Sequence, residues 1–166
     1  MPVVRTTARH KARRRAVEVL YESEARSRNP LTTLAERQER SDPPVSAYAA
    51  TLVEGVVTHR VEIDELLSRY ARGWELDRMP AVDRAVLRIG AFEVLHADDV
   101  PDAVVLAEAV GLVEELSTDE SPQFVNGLLG AIVAGKGGRP PGDTAGSPTG
   151  DTGGLPPRGS SGDITS

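Results

Sequence analysis

The 166-residue sequence predicts an all-α protein with a single folded domain. Three observations predict it. Large apolar residues recur at steps of three, four or seven along most of the chain, the spacing of one helix face. Period-two alternation, which marks a half-buried strand, is absent. The apolar stretches are separated by residues that start helices, Thr, Ser or Asp followed by proline or by a charged first turn.

The elements follow in order. Thr6 or Thr7 can cap a first helix that sets Val17, Leu20, Tyr21 and Ala25 on one face and ends near Asn29-Pro30. Leu31 and Leu34 mark a short second helix. Asp42-Pro43-Pro44 is a start signal, after which Tyr48, Leu52, Val56, Ile63, Leu67 and Tyr70 form one long apolar stripe, with a bend expected near Gly55. Trp74 and Leu76 fall in a connection. Met79-Pro80 opens a helix with Val82, Ala85, Val86, Ile89 and Phe92 inward, which stops by Asp98-Asp99. Pro101 starts the next, carrying Val104, Val105, Ala109, Leu112 and Leu116. Ser121-Pro122 starts the last, carrying Phe124, Val125, Leu128, Leu129 and Ile132, and Gly135 ends it. The count is six or seven helices.

Residues 135–166 hold Gly137-Gly138, Pro140-Pro141-Gly142, Gly153-Gly154 and Pro156-Pro157, with Leu155 and Ile164 nearly their only large apolar side chains. Such a segment cannot bury enough surface to offset the ordering of its backbone, so a disordered Gly/Pro-rich tail is expected. The organisation is then a flexible N-terminal arm over 1–8, a helical domain over 9–134 and the tail.

Composition excludes several classes. There is no cysteine, which removes disulfides and thiolate metal sites. The histidines are His10, His59 and His96; no two stand four apart on a helix, so no histidine metal site is expected. No apolar run reaches membrane-spanning length and no apolar segment follows the N-terminal charges, so the expected location is the cytoplasm, with no membrane partner. The carboxylate pairs Asp64-Glu65, Asp98-Asp99 and Glu114-Glu115 are sequence neighbours that do not face one another on a helix, and no nucleophile or phosphate-binding glycine loop accompanies them. An enzyme is not expected.

The formal net charge is −6, yet Arg9-His10-Lys11-Ala12-Arg13-Arg14-Arg15 is densely cationic. A local basic cluster on an acidic chain points to a polyanion. On a helix Arg9 aligns with Arg13, His10 with Arg14 and Lys11 with Arg15, giving neighbouring cationic ridges. Arginine forks match phosphate, and the free N–H groups of a helix start favour anions. Mutual repulsion at a helix N-terminus also predicts that this segment stays loose until it meets a polyanion. An ordinary charged surface is the other reading of these residues.

Three further segments resemble a known family: Val82-Asp83-Arg84-Ala85-Val86-Leu87-Arg88-Ile89-Gly90-Ala91-Phe92-Glu93-Val94-Leu95, Val100-Pro101-Asp102-Ala103-Val104-Val105-Leu106-Ala107-Glu108-Ala109-Val110, and Phe124-Val125-Asn126-Gly127-Leu128-Leu129. With the basic first helix ahead of them, residues 8 to 134 resemble the NusB family of transcription antitermination factors. The resemblance implies two packed three-helix bundles, no catalysis and no cofactor. It also implies binding of the single-stranded boxA element of ribosomal RNA transcripts together with the ribosomal protein NusE, in an assembly that acts on RNA polymerase. The family contains both monomers and homodimers.

The resemblance further implies RNA contacts by Arg9, His10, Lys11, Arg13, Arg14 and Arg15, and a second contact at Gln123, Phe124 and Asn126. The family carries a lysine where this chain has Gln123, so one phosphate charge is missing there. Phe124 fits either stacking on a base or burial in the core, and Asn126 either RNA or nearby backbone. Asp83 corresponds to an acidic family position that contacts NusE, though an acid in a first helical turn also suits the helix dipole. Tyr21 and Glu18 fall near the same partner surface. Arg88 and Glu93 read as a surface or structural pair. Two other functions remain open on sequence: the RNA-recognition domain of a ribosomal RNA cytosine methyltransferase, which uses the same fold, and a helical oligomerisation module that pairs through the Tyr48-to-Tyr70 stripe.

Overall fold

A computed structural model describes residues 7–40 and 44–136. Residues 1–6 of the N-terminal arm and 137–166 of the Gly/Pro-rich tail lie outside the described residues, as do 41–43. Among the described residues there are seven α-helices and one 3₁₀ turn, and no strand. They are α1 (Ala8–Ala25), α2 (Pro30–Arg40), α3 (Ala47–Thr58), α4 (Arg60–Tyr70), the 3₁₀ turn Leu76–Arg78, α5 (Ala81–His96), α6 (Asp102–Leu116) and α7 (Ser121–Gly135).

The caps explain most of the boundaries. Thr7 caps α1, its Oγ1 accepting from the His10 N–H at 3.0 Å. The helix stops at Ala25, earlier than Asn29-Pro30, and Ser27 takes a left-handed φ of 53° in the turn that follows. Asn29 accepts from the Leu31 N–H at 2.9 Å, and Pro30 occupies the first position of α2, where its missing N–H costs nothing. Ser46, rather than Asp42, caps α3, accepting from the Ala49 N–H.

The long stripe from Tyr48 to Tyr70 is two helices. The break falls at His59 (φ −105°, ψ 20°), not at Gly55. Gly55 has a different role: it lets α3 approach α5 so closely that a Cβ there would overlap the Phe92 ring.

Helices α1, α2 and α3 pack on one another, and so do α5, α6 and α7, giving the two three-helix bundles. Contacts of α1 and α3 with α5 join them, and α4 lies against both α5 and α7. Helix α5 is therefore enclosed. Every residue from Asp83 to Val94 is buried, charged ones included. A solitary buried charge is prohibitive, and each one here is ion-paired or, for Asp83, hydrogen-bonded by two serine hydroxyls. Arg84 bonds to Glu24 and to the carbonyls of Leu76 and Met79. Arg88 bonds to Asp64 at 2.9 Å and reaches Glu24, while Glu93 binds Arg13. Arg88 and Glu93 are thus both structural, but with other partners than each other.

Candidate nucleic-acid interface

The cations at the head of α1 separate by helical position. Arg13 turns inward and is 3% exposed. Its Nε and Nη2 donate to the two carboxylate oxygens of Glu93, each at 2.8 Å, and the Tyr48 hydroxyl donates to the same carboxylate at 2.5 Å. Burial, then the hydrogen bond to Glu93 and its charge, push the Tyr48 hydroxyl up to about 12. For Arg13, burial works against the guanidinium charge, but the bonds and charge of Glu93 outweigh it and the net shift is upward. Arg13 therefore does not stand on an open ridge beside Arg9. An apolar-lined interior with one buried acid holds it.

Arg9 remains half exposed, lies 4.3 Å over the Tyr48 ring and donates to Asp99 at 2.9 Å. That hydrogen bond holds the Asp99 carboxyl below its ordinary range. His10 points at α6, with Nδ1 2.6 Å from Glu108 and Nε2 2.9 Å from Glu115. Burial favours the neutral imidazole, but the bonds to the two acids outweigh it and raise the pKa. Both ring nitrogens are occupied, so His10 is not presented to solvent as the ridge pattern suggests.

The remaining three cations face outward. Lys11 is exposed and makes no hydrogen bond or ion pair among the described residues. Arg14 is 51% exposed, with long contacts to Glu115 at 3.4 Å and Glu18 at 3.8 Å. Arg15 stands 3.5 Å from Glu18. Lys11, Arg14 and Arg15 are three and four apart, hence one face. With Pro44 and Ser46 they line an open groove of about 390 Å³ between α1 and the approach to α3. The groove can hold a phosphate backbone through arginine forks and one free ammonium. The expected loose arm is, from Ala8 onward, a capped helix. Asp99, Glu108, Glu115, Glu93 and Glu18 offset the repulsion among its cations. Those acids were invisible as a set in the sequence; only the density of carboxylates in an acidic chain hints at them.

Gln123 and Asn126 are exposed on the first turns of α7, and Phe124 is half-buried, its ring 5.1 Å from that of the exposed Trp74. This pair forms an aromatic step beside α4, a role that the position of Trp74 in a connection does not reveal in the sequence. The start of α7 is bonded to Asp83 at the head of α5, whereas Arg13 is bonded to Glu93, roughly 15 Å further along that helix. The α1 groove and the α7 start are thus two separate places, not one patch.

Asp83 is 2% exposed. Its carboxylate accepts from Ser117 Oγ at 2.6 Å and Ser121 Oγ at 2.8 Å, tying the start of α5 to the α6–α7 turn. This corrects the expectation of an acid open to a basic partner: its oxygens are engaged inside. Tyr21 is 46% exposed, and with Glu18, Arg37, Val82 and Leu116 it lines a second open groove of about 500 Å³. Val82, not Asp83, reaches that groove. Arg37 bonds to Glu22 at 3.0 Å and contacts Glu18 at 3.4 Å along its rim.

Among the described residues no helix is long and apolar enough to cross a membrane. The family model described as "NusB family" matches residues 10–134. The chain is 62% identical over 125 residues to the transcription antitermination protein NusB of Kineococcus radiotolerans, covering 75% of this chain and 92% of that one. It is 58% identical over 130 residues to the protein of the same name from Nocardioides, covering 78% and 96%. In three dimensions it is similar to NusB of T. maritima (TM-score 0.70, 30% identity, covering 78% of this chain and 93% of that one). It is also similar to a chain from the crystal structure of the antitermination factors NusB and NusE in complex with double-stranded RNA (TM-score 0.67, 31% identity, covering 77% and 98%).

Proposed function

The chain belongs to the NusB family, and we propose that it meets RNA through the groove of Lys11, Arg14 and Arg15 and meets NusE through the groove around Tyr21. The protein is a non-catalytic transcription antitermination factor that binds RNA together with NusE. The finer reading is that the RNA is a single-stranded boxA-type element of a nascent ribosomal transcript, that the complex acts on RNA polymerase, and that the site of action is therefore the cytoplasm. The observation that carries the RNA contact is the division of α1: its inward cations are neutralised by buried or facing acids, while Lys11, Arg14 and Arg15 line an open groove. Arg9, half exposed beside Asp99 on a neighbouring face of α1, adds a fourth cation. Gln123, Phe124 and Asn126 form a secondary contact, with Trp74 beside Phe124 as a stacking surface.

The partner contact rests on shape and exposure. Tyr21, Val82 and Leu116 give an apolar floor, and the rim carries both signs of charge, Glu18 and Glu22 beside Arg26 and Arg37, which polar groups of a partner can complement. Asp83 supports this surface from beneath by fixing the α6–α7 turn.

The test is a binding titration with a boxA-like single-stranded RNA, with and without NusE, on protein whose oligomeric state has been fixed by light scattering. Tighter binding in the presence of NusE, and weaker binding to a scrambled strand and to a duplex, are expected. Equal affinity for all three RNAs would overturn the single-strand reading.

A further inference from the structure

His59, Glu62 and His96 come together where the α3–α4 joint meets the end of α5. His59 is the joint between α3 and α4, Glu62 is in the first turn of α4, and His96 is the last residue of α5. Glu62 Oε2 lies 3.4 Å from His59 Nδ1 and 3.5 Å from His96 Nε2. All three candidate donor atoms lie within 4.8 Å of one another. Four ligands at the 2.0–2.1 Å typical of zinc stand about 3.3 Å apart along the edges of their tetrahedron. The two nitrogen–oxygen separations here match that edge before any ion is present.

The surroundings suit an ion as well. Phe92 packs against both imidazoles, with ring centroids 6.0 Å from His59 and 5.6 Å from His96, which gives the site an apolar back wall. The three side chains are one-third to one-half exposed, so water can fill the fourth position. The imidazoles now stack at 3.8 Å. Sharing one ion requires them to splay about χ2, a broad torsion for histidine. The third histidine makes an instructive contrast. The nitrogens of His10 face two different acids on opposite sides of its ring, so its neighbours do not converge on one point.

We propose that His59, Glu62 and His96 form a binding site for one divalent transition-metal ion of the zinc class. Two imidazoles and one carboxylate are the donor set that such ions take, and magnesium and calcium, which prefer all-oxygen ligands, do not fit it. The bound ion fastens the α3–α4 joint to the end of α5. It ties the first bundle to the second at the place where the long apolar stripe is interrupted. None of the three residues lines the groove of Lys11, Arg14 and Arg15 or the groove around Tyr21.

The experiment uses the full, untagged chain, freed of metal with a chelator, and zinc chloride alone as the probe. Isothermal titration should show one saturable site tighter than about 1 mM, and the imidazole NMR signals of His59 and His96 should move together while those of His10 stay. The melting temperature should rise with zinc concentration, because the ion binds only the folded chain, and magnesium chloride should leave it unchanged. His59→Ala and His96→Ala should each weaken zinc binding by at least about tenfold, and His10→Gln should not change it. Glu62→Gln, a surface change that keeps the fold, provides a third arm and should weaken binding in the same way. No saturable binding by the native chain, or unchanged affinity in both Glu62→Gln and His96→Ala, would overturn the proposal.

Discussion

Arg13→Ala separates a structural role from an RNA contact. Arg13 and Glu93 are 3% and 1% exposed, joined by two hydrogen bonds of 2.8 Å, and Tyr48 supplies the third donor to Glu93. Removing the guanidinium leaves a carboxylate buried with only a phenol to answer it. Breaking one side of a buried ion pair costs about 3–5 kcal/mol. For a domain of this size 1 kcal/mol shifts the melting temperature by roughly 3–5 °C, so a drop on the order of 10–20 °C is expected. Thermal unfolding followed by circular dichroism measures it. The double change Arg13→Met with Glu93→Leu removes both charges and should recover much of the loss, because the desolvation cost disappears with the attraction. The same proteins, held below their melting temperatures, are titrated with RNA. The reasoning fails if Arg13→Ala melts at the native temperature and loses RNA affinity, since Arg13 would then be an accessible RNA contact and not a core strut.

Three other outcomes follow from the same geometry. Replacing Lys11, Arg14 and Arg15 together by alanine should leave the melting temperature within a few degrees and weaken RNA binding. If these three and Arg9 neutralise four phosphates, the native log affinity should fall with log salt at a slope of about −3 for a single strand, and the variant slope should flatten by about 2; an unchanged slope would move the contact elsewhere. Tyr21→Asp should weaken NusE binding and spare RNA binding by the protein alone, measured by paired titrations, whereas equal loss of both would point to one shared surface. His10 has a folded pKa raised by Glu108 and Glu115, with Arg13 and Arg14 the nearby cations. Its contribution should be fully present below its unfolded pKa of about 6.5 and fade as pH rises through the higher folded value. The gap in melting temperature between the native chain and His10→Gln should therefore be wider at pH 6 than at pH 9, and a gap that widens with pH would contradict the assignment.

Packing adds one more measurable consequence. Gly55→Ala drives a methyl group into the Phe92 ring. Overpacking of this kind costs about 1–3 kcal/mol, which denaturant unfolding would read as a lower midpoint at unchanged slope. Native stability in this variant would mean that α3 and α5 part easily and that the close approach is not a constraint.

The sequence by itself determined the secondary structure class and the starts of the helices other than α3 and α4. Those depend on local spacing and on residues such as Thr7, Pro30, Pro80 and Pro122, whose effect on the backbone needs no distant partner. It also placed the buried apolar residues of the later helices, since Val86, Ile89, Leu112, Val125 and Leu129 repeat at helical intervals. It carried the family resemblance, because the motif residues stand in order along the chain. It did not reveal that the stripe from Tyr48 to Tyr70 breaks at His59, because nothing within the helix breaks it: neither glycine nor proline stands there.

Which charges are open was decided only by the tertiary structure. Arg9, Lys11, Arg13, Arg14 and Arg15 look equivalent in one dimension. Arg13 is withdrawn by Glu93 and His10 by Glu108 and Glu115, all contributed by helices far along the chain. Asp83 read as a partner contact for the same reason, until Ser117 and Ser121 closed over it. Helical spacing predicts one buried face, but α5 is surrounded on every side, so its charged residues had to find partners inside. His59 and His96 show the same limit. Metal-ligand spacing within one helix is visible in sequence, whereas donors that converge from the α3–α4 joint and the end of α5 become neighbours only when the two bundles pack. Local periodicity fixes where helices form; long-range packing fixes which of their polar groups face water.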